Sequence, residues 1–464
     1  MIKIDIKKRI SIIMISIAMF IILMSYFVKD VPFSFILVLL IWTAMFIYSL
    51  MYIEKHVTLL FFLVSFFVFL VGREACFIYL GVTPYYEYLN ANNDKTFYAL
   101  SLSLTFIAIG SLLRKEKHDN VITDDTYERH NYYRNISLLG FIVSYTLALI
   151  ATGLDASNAI QNGYLEGYTS EGTENSLPGV VNYGAAFVGV AISFYLASKP
   201  KKQNTLIILV LYEVYGIATL LTGHRYTFIS ITMYAAVIIV IRGWLKFYHF
   251  LVAIIILPFT LILLTALDSI RVGNSYHMTN ILETIVTFFD QQGGSVNIIK
   301  RVMYYESSLM DMRLVSLSNL RTVSIENSLM RWLFDLKVYS GNSIENALHG
   351  NSLAHRLSYY EYGSQYLAGR GVGSSYIGEL YHDFGYLGVS FGSMLYGYIL
   401  KCINYIKFNN LLKDTLLLSC FSAIILAPRG NFDGFIGDIF NLYTLLGILL
   451  IYLVANIFAN RRVG

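Results

Sequence analysis

Charge is what this sequence is short of. Asp, Glu, Lys and Arg supply only 14% of 464 residues, where a soluble protein of this length carries roughly a quarter. Hydrophobic residues make up 56%, and the mean hydropathy is +0.58. That balance excludes a soluble enzyme. Cysteine is scarce as well: Cys76, Cys402 and Cys420 lie in or beside apolar runs at unrelated depths, so neither a disulfide framework nor a thiolate ligand set is implied. Internal repeats, heptad arrays and low-complexity tracts are missing. The net charge of +4 is not a nucleic-acid signal, because the basic residues sort by membrane side. The first apolar run, after "MIKIDIKKRI", has no small-x-small cleavage site behind it and reads as a retained helix.

What is present in abundance is runs of about 20 apolar residues, each long enough to cross a bilayer as a helix. They fall at about 10–28, 33–53, 57–80, 97–113, 136–153, 179–197, 205–222, 226–241, 250–267, 385–406, 413–427 and 435–457. The expectation is an all-α polytopic membrane protein of about twelve transmembrane helices. With the N-terminus inside, roughly 20 basic residues fall on the inner segments and about five, including Arg73, Arg225 and Arg429, on the outer turns. Both termini are then cytoplasmic. The one long hydrophilic segment, 268–384, lies outside. It separates an N-terminal bundle (1–267) from C-terminal helices (385–464), and at this length it reads as a small functional subdomain. A second outer loop runs over 163–179.

Within 268–384, "MTNILETIVTFFDQQ" (278–292) and "NSLMRWLFDLKVYSG" (327–341) have helical apolar spacing. Of nine basic residues in the segment, seven are arginines, the side chain whose planar fork grips phosphate or carboxylate. Solvated surface charge is the plainer reading of any one of them. Tyrosine numbers 37 in the chain, and "HRLSYYEYGSQY" (355–366) holds Tyr359, Tyr360, Tyr362 and Tyr366 together with Arg356. Such rings suit an aromatic belt, and equally the C–H face and hydroxyls of a sugar.

The segment closes on "GRGVGSSYIGELYHDFGYLG" (369–388). Its glycines, Gly371 and Gly373 among them, form neither a P-loop nor a dinucleotide fingerprint. After them a helix can start with Ser374 or Ser375 as N-cap, its free N–H groups facing an anion. On that helix Glu379, His382 and Asp383 share one face. Glu-x-x-His resembles half of a di-metal site, but the second half is missing, so no metal is expected. A general base, Glu379 first and His382 second, and a structural polar cap both remain open. Arg225 in "LLTGHRYTF", Arg271 in "LDSIRVG", Arg429 in "LAPRGNFDGFIGD" and Arg73 in "LVGREACF" all stand at the outer face. Singly they can snorkel; together they suit one anionic ligand.

The order of these parts resembles the bacterial O-antigen polysaccharide polymerases of the Wzy type. Those parts are many helices, the "TGHR" turn, a long late outer loop ending in "GRGVGSSYIGELYHDFGYLG", and the "PRGNFDG" turn. An Arg followed eleven residues later by Gly, present in some members' loops, is not found in this one. The resemblance implies a fold like that of C-type membrane glycosyltransferases, in the inner membrane with the active face periplasmic. It also implies polymerisation of undecaprenyl-diphosphate-linked repeat units, with no cofactor and no nucleic acid. A chain-length regulator and a flippase of the same pathway are the implied partners. Arg225, Arg271, Arg429, Arg356, Gly371 and Gly373 would then hold the diphosphate, and Tyr359, Tyr360 and Tyr362 the sugars. An O-antigen ligase and a flippase or transporter of lipid-linked oligosaccharide are the competing readings.

Overall fold

The computed structural model describes residues 32–81, 87–113, 124–162, 178–222, 225–245, 281–325, 330, 333–335, 337, 339 and 341–460. These residues form helices and connecting turns, with no strand among them. An apolar chain in lipid satisfies its backbone hydrogen bonds within each segment, which selects the helix.

The first helices are α1 (Phe33–Met51), α2 (Ile53–Phe66), a π-helical turn (Phe67–Val71) and α3 (Gly72–Leu80), which stops at left-handed Gly81. Next come α4 (Asn93–Leu112), α5 (Asp124–Asn162), α6 (Gly179–Ala186), α7 (Val188–Ala197), α8 (Lys202–Leu220) and α9 (Arg225–Ile241). The segment 268–384, called the outer segment after its expected side, contributes α10 (Ile281–Gln292), α11 (Ser295–Tyr304), α12 (Ser318–Ser324), α13 (Ile344–His349) and α14 (Leu353–Tyr362). Then follow α15 (Tyr376–Asn404), α16 (Leu411–Ser419), α17 (Phe421–Ile425), α18 (Gly434–Phe440) and α19 (Leu442–Asn460).

Among the described residues, seven helical stretches are long and apolar enough to cross a membrane: Phe33–Met51, Ile53–Leu80, Tyr88–Leu112, Asn131–Ala159, Gly179–Ala197, Lys202–Leu220 and Gly434–Phe458. Tyr226–Ile241 is a shorter apolar helix. Of the remaining expected spans, 10–28 and 250–267 lie outside the described residues, as do most of the loop at 163–179 and most of the expected helix at 327–341. The run at 413–427 is not one helix but two, broken at Cys420. The run at 385–406 is the inner part of α15, and the boundary has a physical mark. Gly385 adopts φ 58°, ψ −148° inside that helix, a backbone region essentially confined to glycine. The kink sets the polar turns 376–384 at an angle to the apolar helix below.

That apolar helix is the axis of the molecule. It crosses α4 where Gly110 meets the backbone of Met394 and Gly397 meets the backbone of Ile107, so close that neither position has room for a Cβ. Small residues at a crossing let two backbones touch, which is how helices associate in lipid. Ser393 Oγ donates to Ser103 Oγ at 2.9 Å across the same crossing. Phe62, Phe97, Tyr195, Tyr396 and Phe421 belong to one buried core, so helices from both ends of the chain pack together. The outer segment has a second core of its own, built on Ile298, Val302, Leu309, Met312, Val315, Leu353 and Leu357.

Candidate functional site

The glycine run at 369–373 is laid against α14. Gly369 (φ 95°) and Gly373 (φ 78°) take left-handed turns, and Val372 N donates to Ser358 Oγ at 2.9 Å beside Gly371. The helix then starts at Tyr376 with Ser375 in the N-cap position. Ser375 does not cap it; its hydroxyl is buried without a partner. Ser374 turns instead to Glu379, donating to Oε1 at 2.6 Å. Phe432 N, from the turn after Arg429, donates to Glu379 Oε2 at 2.8 Å. The Glu379 carboxyl is only 2% exposed. Burial pushes its pKa up to about 8 in spite of these two hydrogen bonds. Burial favours its neutral form, and it ties Ser374 to the turn after Arg429.

His382 and Asp383 face the other way, into the outer segment. Asp383 accepts from Val315 N (3.1 Å), Ser316 N (2.8 Å) and Ser316 Oγ (2.6 Å). His382 Nδ1 lies 2.9 Å from Asp383 Oδ1, and Nε2 lies 3.1 Å from the Leu309 carbonyl. Both ring nitrogens thus face oxygen atoms, which favours the doubly protonated ring. Burial alone would lower the His382 pKa, but the Asp383 carboxylate and the Leu309 carbonyl raise it overall. Burial would likewise raise Asp383, yet hydrogen bonds from His382 and Ser316 bring it below the ordinary carboxylate value. With both ring nitrogens engaged, the geometry suits these two to the part of a polar cap. It pins the turn 315–317 to the head of α15.

The arginines expected at the outer face divide. Arg271 lies outside the described residues, and of Arg225 only the backbone, at the start of α9, is described. Arg73 and Arg429 each bind a side chain of the last turn of α10. Arg429 Nη1 donates to Gln292 Oε1 at 3.0 Å, with the guanidinium 5.4 Å above the Phe69 ring. Arg73 Nη2 pairs with Asp290 Oδ1 at 2.9 Å and stands 5.0 Å above Phe77. Its Nε is buried with no partner. Two glycines make this approach possible: a Cβ on Gly72 would strike the Phe289 ring, and one on Gly293 would strike Arg73 itself. Close to Arg73, Lys300 Nζ and Glu74 Oε1 form an ion pair at 2.6 Å, its side chains 2% and 3% exposed. Burial lowers the Lys300 pKa, with Glu74 opposing.

Glu74, Asp290, Gln292 and Lys300 were not among the sequence candidates. The signal for the first was available: "REAC" sets two opposite charges inside an apolar span, which is costly unless each finds a partner. The π-turn at Phe67–Val71 leads directly into this pair, and such bulges concentrate at functional sites.

Arg356 is committed to the outer segment's own frame. It donates from Nε to Ala347 O (2.6 Å), from Nη2 to Leu348 O (2.7 Å) and from Nη1 to both Asp311 carboxylate oxygens (3.0 and 2.9 Å). Tyr360 OH donates to Ser308 O at 3.2 Å, and its ring packs 5.6 Å from Tyr305. Tyr359 meets Tyr366 edge-on at 6.0 Å. Tyr362 lies under the Arg370 guanidinium at 6.0 Å. All three rings are half-buried, with one face spent on the fold. Arg301, also unforeseen, pairs with Glu361 at 3.1 Å, and Tyr88 OH donates to the same carboxylate at 2.6 Å. Among the described residues, no three His, Cys, Asp or Glu side chains are grouped to hold a metal ion.

What the arrangement offers is two arginine guanidiniums of different sequence origin on the last turn of α10, with a buried ion pair close to Arg73. This can stabilise negative charge that develops there. The family model described as O-antigen polysaccharide polymerase Wzy matches residues 10–462. No curated protein and no solved structure matches the chain.

Proposed function

Since the chain belongs to the O-antigen polysaccharide polymerase Wzy family over nearly its whole length, we propose that it lengthens a polysaccharide from undecaprenyl-diphosphate-linked repeat units at the periplasmic face of the inner membrane. In this reading the growing glycan on its carrier is the donor and a single repeat unit on the same carrier is the acceptor. An acceptor hydroxyl oxygen bonds to the donor's anomeric carbon as the bond from that carbon to the diphosphate oxygen breaks. The diphosphate leaves with the electron pair, and the hydroxyl proton goes to a base or to water. No cofactor enters the balance.

The observation that supports this reading is that Arg73 and Arg429 both reach the last turn of α10, through Asp290 and Gln292; charge on a diphosphate departing near them would be met by planar donors. Arg225 and Arg271 are proposed for the same role. Arg356, Gly371 and Gly373 would support it indirectly, through the frame that holds the head of α15. Tyr359, Tyr360 and Tyr362 offer sugars their free faces. The orientation rests on the sorting of basic residues, and a chain-length regulator and a flippase would be the working partners.

Surface polysaccharide from a deletion strain, run on a gel, separates the competing roles. Loss of a polymerase leaves core bearing one repeat. A ligase loss leaves bare core while lipid-linked polymer accumulates, and a flippase loss leaves neither. On complementation, Arg429→Ala should abolish the long-chain ladder and Arg429→Lys should leave a short or weak one, because Lys keeps charge without the bidentate fork. A full ladder from Arg429→Ala at normal protein level would remove this arginine from the mechanism.

A further inference from the structure

One cavity is not used by anything above. It measures about 260 Å³ and lies among α6, α7, α8, α9, α16, α17, α18 and α19, reaching from Asn441 at its rim to Ser193, Tyr212 and Tyr234 inside the bundle. At about 30 Å³ per water that is the room of roughly nine waters, the scale of one sugar ring.

The backbone around it is irregular in a consistent way. The α6–α7 run breaks at Phe187, α16–α17 at Cys420, and α18–α19 at Asn441. Ala186, Ser419 and Asn441, beside or at those breaks, all line the cavity. Broken backbone at membrane depth persists where protein or a polar space satisfies it. Ser193 bonds Tyr234, Ser422 accepts from Ser230 and Asn441 accepts from Tyr443 N, but two polar side chains of the lining lack partners. Ser419 Oγ is buried with none. Asp438 faces the cavity, and no described residue gives it a hydrogen bond, whereas Asp433, five positions earlier, takes Asn319 Nδ2 and Leu320 N at 2.8 Å each. An ionisable side chain left without a partner inside an apolar bundle marks a functional site by default.

The lining also selects the ligand. Among the described residues it holds a carboxylate, a carboxamide, serine and threonine hydroxyls and the tyrosines Tyr212, Tyr234 and Tyr443, but neither lysine nor arginine. A phosphate group finds no counter-charge among them. A ring carrying several hydroxyls finds acceptors, donors and aromatic faces together.

We propose that this cavity is a saccharide pocket, which takes one uncharged sugar ring of the glycan substrate with the Asp438 carboxylate accepting hydrogen bonds from its hydroxyls. The inference rests on the polymerase reading for the identity of its ligand, and it adds a place where sugar identity is read, apart from the two arginines at α10.

The structure supplies a clean way to block it. Gly189 lines the cavity, and a Cβ built there has nothing within 4 Å. Gly189→Leu therefore has room at its Cβ and puts its branched end into the pocket, in a helix where leucine is better tolerated than glycine. The full-length chain in lipid nanodiscs is titrated with the repeat-unit oligosaccharide released from its carrier by mild acid, and binding is followed by saturation-transfer NMR. Wild type should bind. Gly189→Leu and Asp438→Asn should each weaken binding about tenfold or more, while Arg429→Ala, which loses polymerisation, keeps it within about twofold, because the probe has no diphosphate. Thermal melts establish that each variant is folded, and if one is not, the other decides. Wild-type affinity in both folded variants overturns the pocket and leaves the polymerase reading standing. Extension of lipid-linked units by a wild-type chain that does not bind the probe overturns the pocket alone. A wild-type chain that neither binds nor extends them overturns both.

Discussion

At position 379 a neutral amide can do nearly all that the buried acid does. Gln keeps an amide oxygen to accept from Phe432 N–H, and its NH2 can donate to the Ser374 oxygen once that hydroxyl, which donates to Glu379 in the native chain, turns away. Glu379→Gln should therefore leave the ladder largely intact, whereas Glu379→Ala orphans a buried N–H, leaves a cavity and costs about 2–4 kcal/mol. A dead Glu379→Gln enzyme that folds normally would return this carboxylate to the role of base. Its titration has a definite sign. Folding raises this pKa to about 8, so the native state binds the proton more tightly. Stability is then complete below the ordinary carboxylate value and declines as pH rises through about 8. Between about pH 5 and pH 9 the melting temperature of wild type should fall relative to Glu379→Gln; parallel profiles would mean that the group ionises without cost. Asp383 behaves oppositely, since its pKa is lowered by the groups that hold it. Its contribution is present above the ordinary carboxylate pKa and is lost in acid. Removing it as Asp383→Ala should cost about 2–4 kcal/mol through the abandoned donors of Val315 and Ser316.

Among the elements, α15 was the most legible. The change from "SSYIGELYHDF" to an apolar run located both its start at Tyr376 and its break at Gly385, because polarity along a chain follows depth in a membrane. The broken pairs α6–α7 and α16–α17 were read as single spans, since nothing local in their apolar sequences marks Phe187 or Cys420. Asp433 and Asp438 show why the site was harder. In "NFDGFIGD" they look alike, and only the residues opposite, at 319 and 320 in one case and a cavity in the other, tell them apart. The same holds for His382, whose use as a cap depends on Leu309, 73 positions away. Gly385→Ala tests the kink: its backbone region should cost a Cβ-bearing residue about 1–3 kcal/mol and tilt the polar head of α15. Reduced melting temperature together with a shortened ladder is the expected result. An unchanged ladder and melt would mean that the helix straightens there at no cost.

For the whole molecule, topology is the first claim to check. In a variant without its three native cysteines, a cysteine at exposed position 345 should react with an impermeant reagent from outside, and one at position 125 should not; the reverse pattern inverts the scheme. The crossing of α4 with α15 has a further consequence, one of timing. α4 is complete at Leu112, but the helix that covers its Gly110 face does not begin until Tyr376, about 260 residues later. At roughly 5–20 residues per second, a newly made α4 waits in the bilayer for something like 13 to 50 s with its backbone groove open to other membrane helices. During that interval the nascent chain has no partner of its own for the groove. Fragments ending before residue 376 never acquire one, and quality-control proteases should clear them well before fragments that end just beyond residue 404.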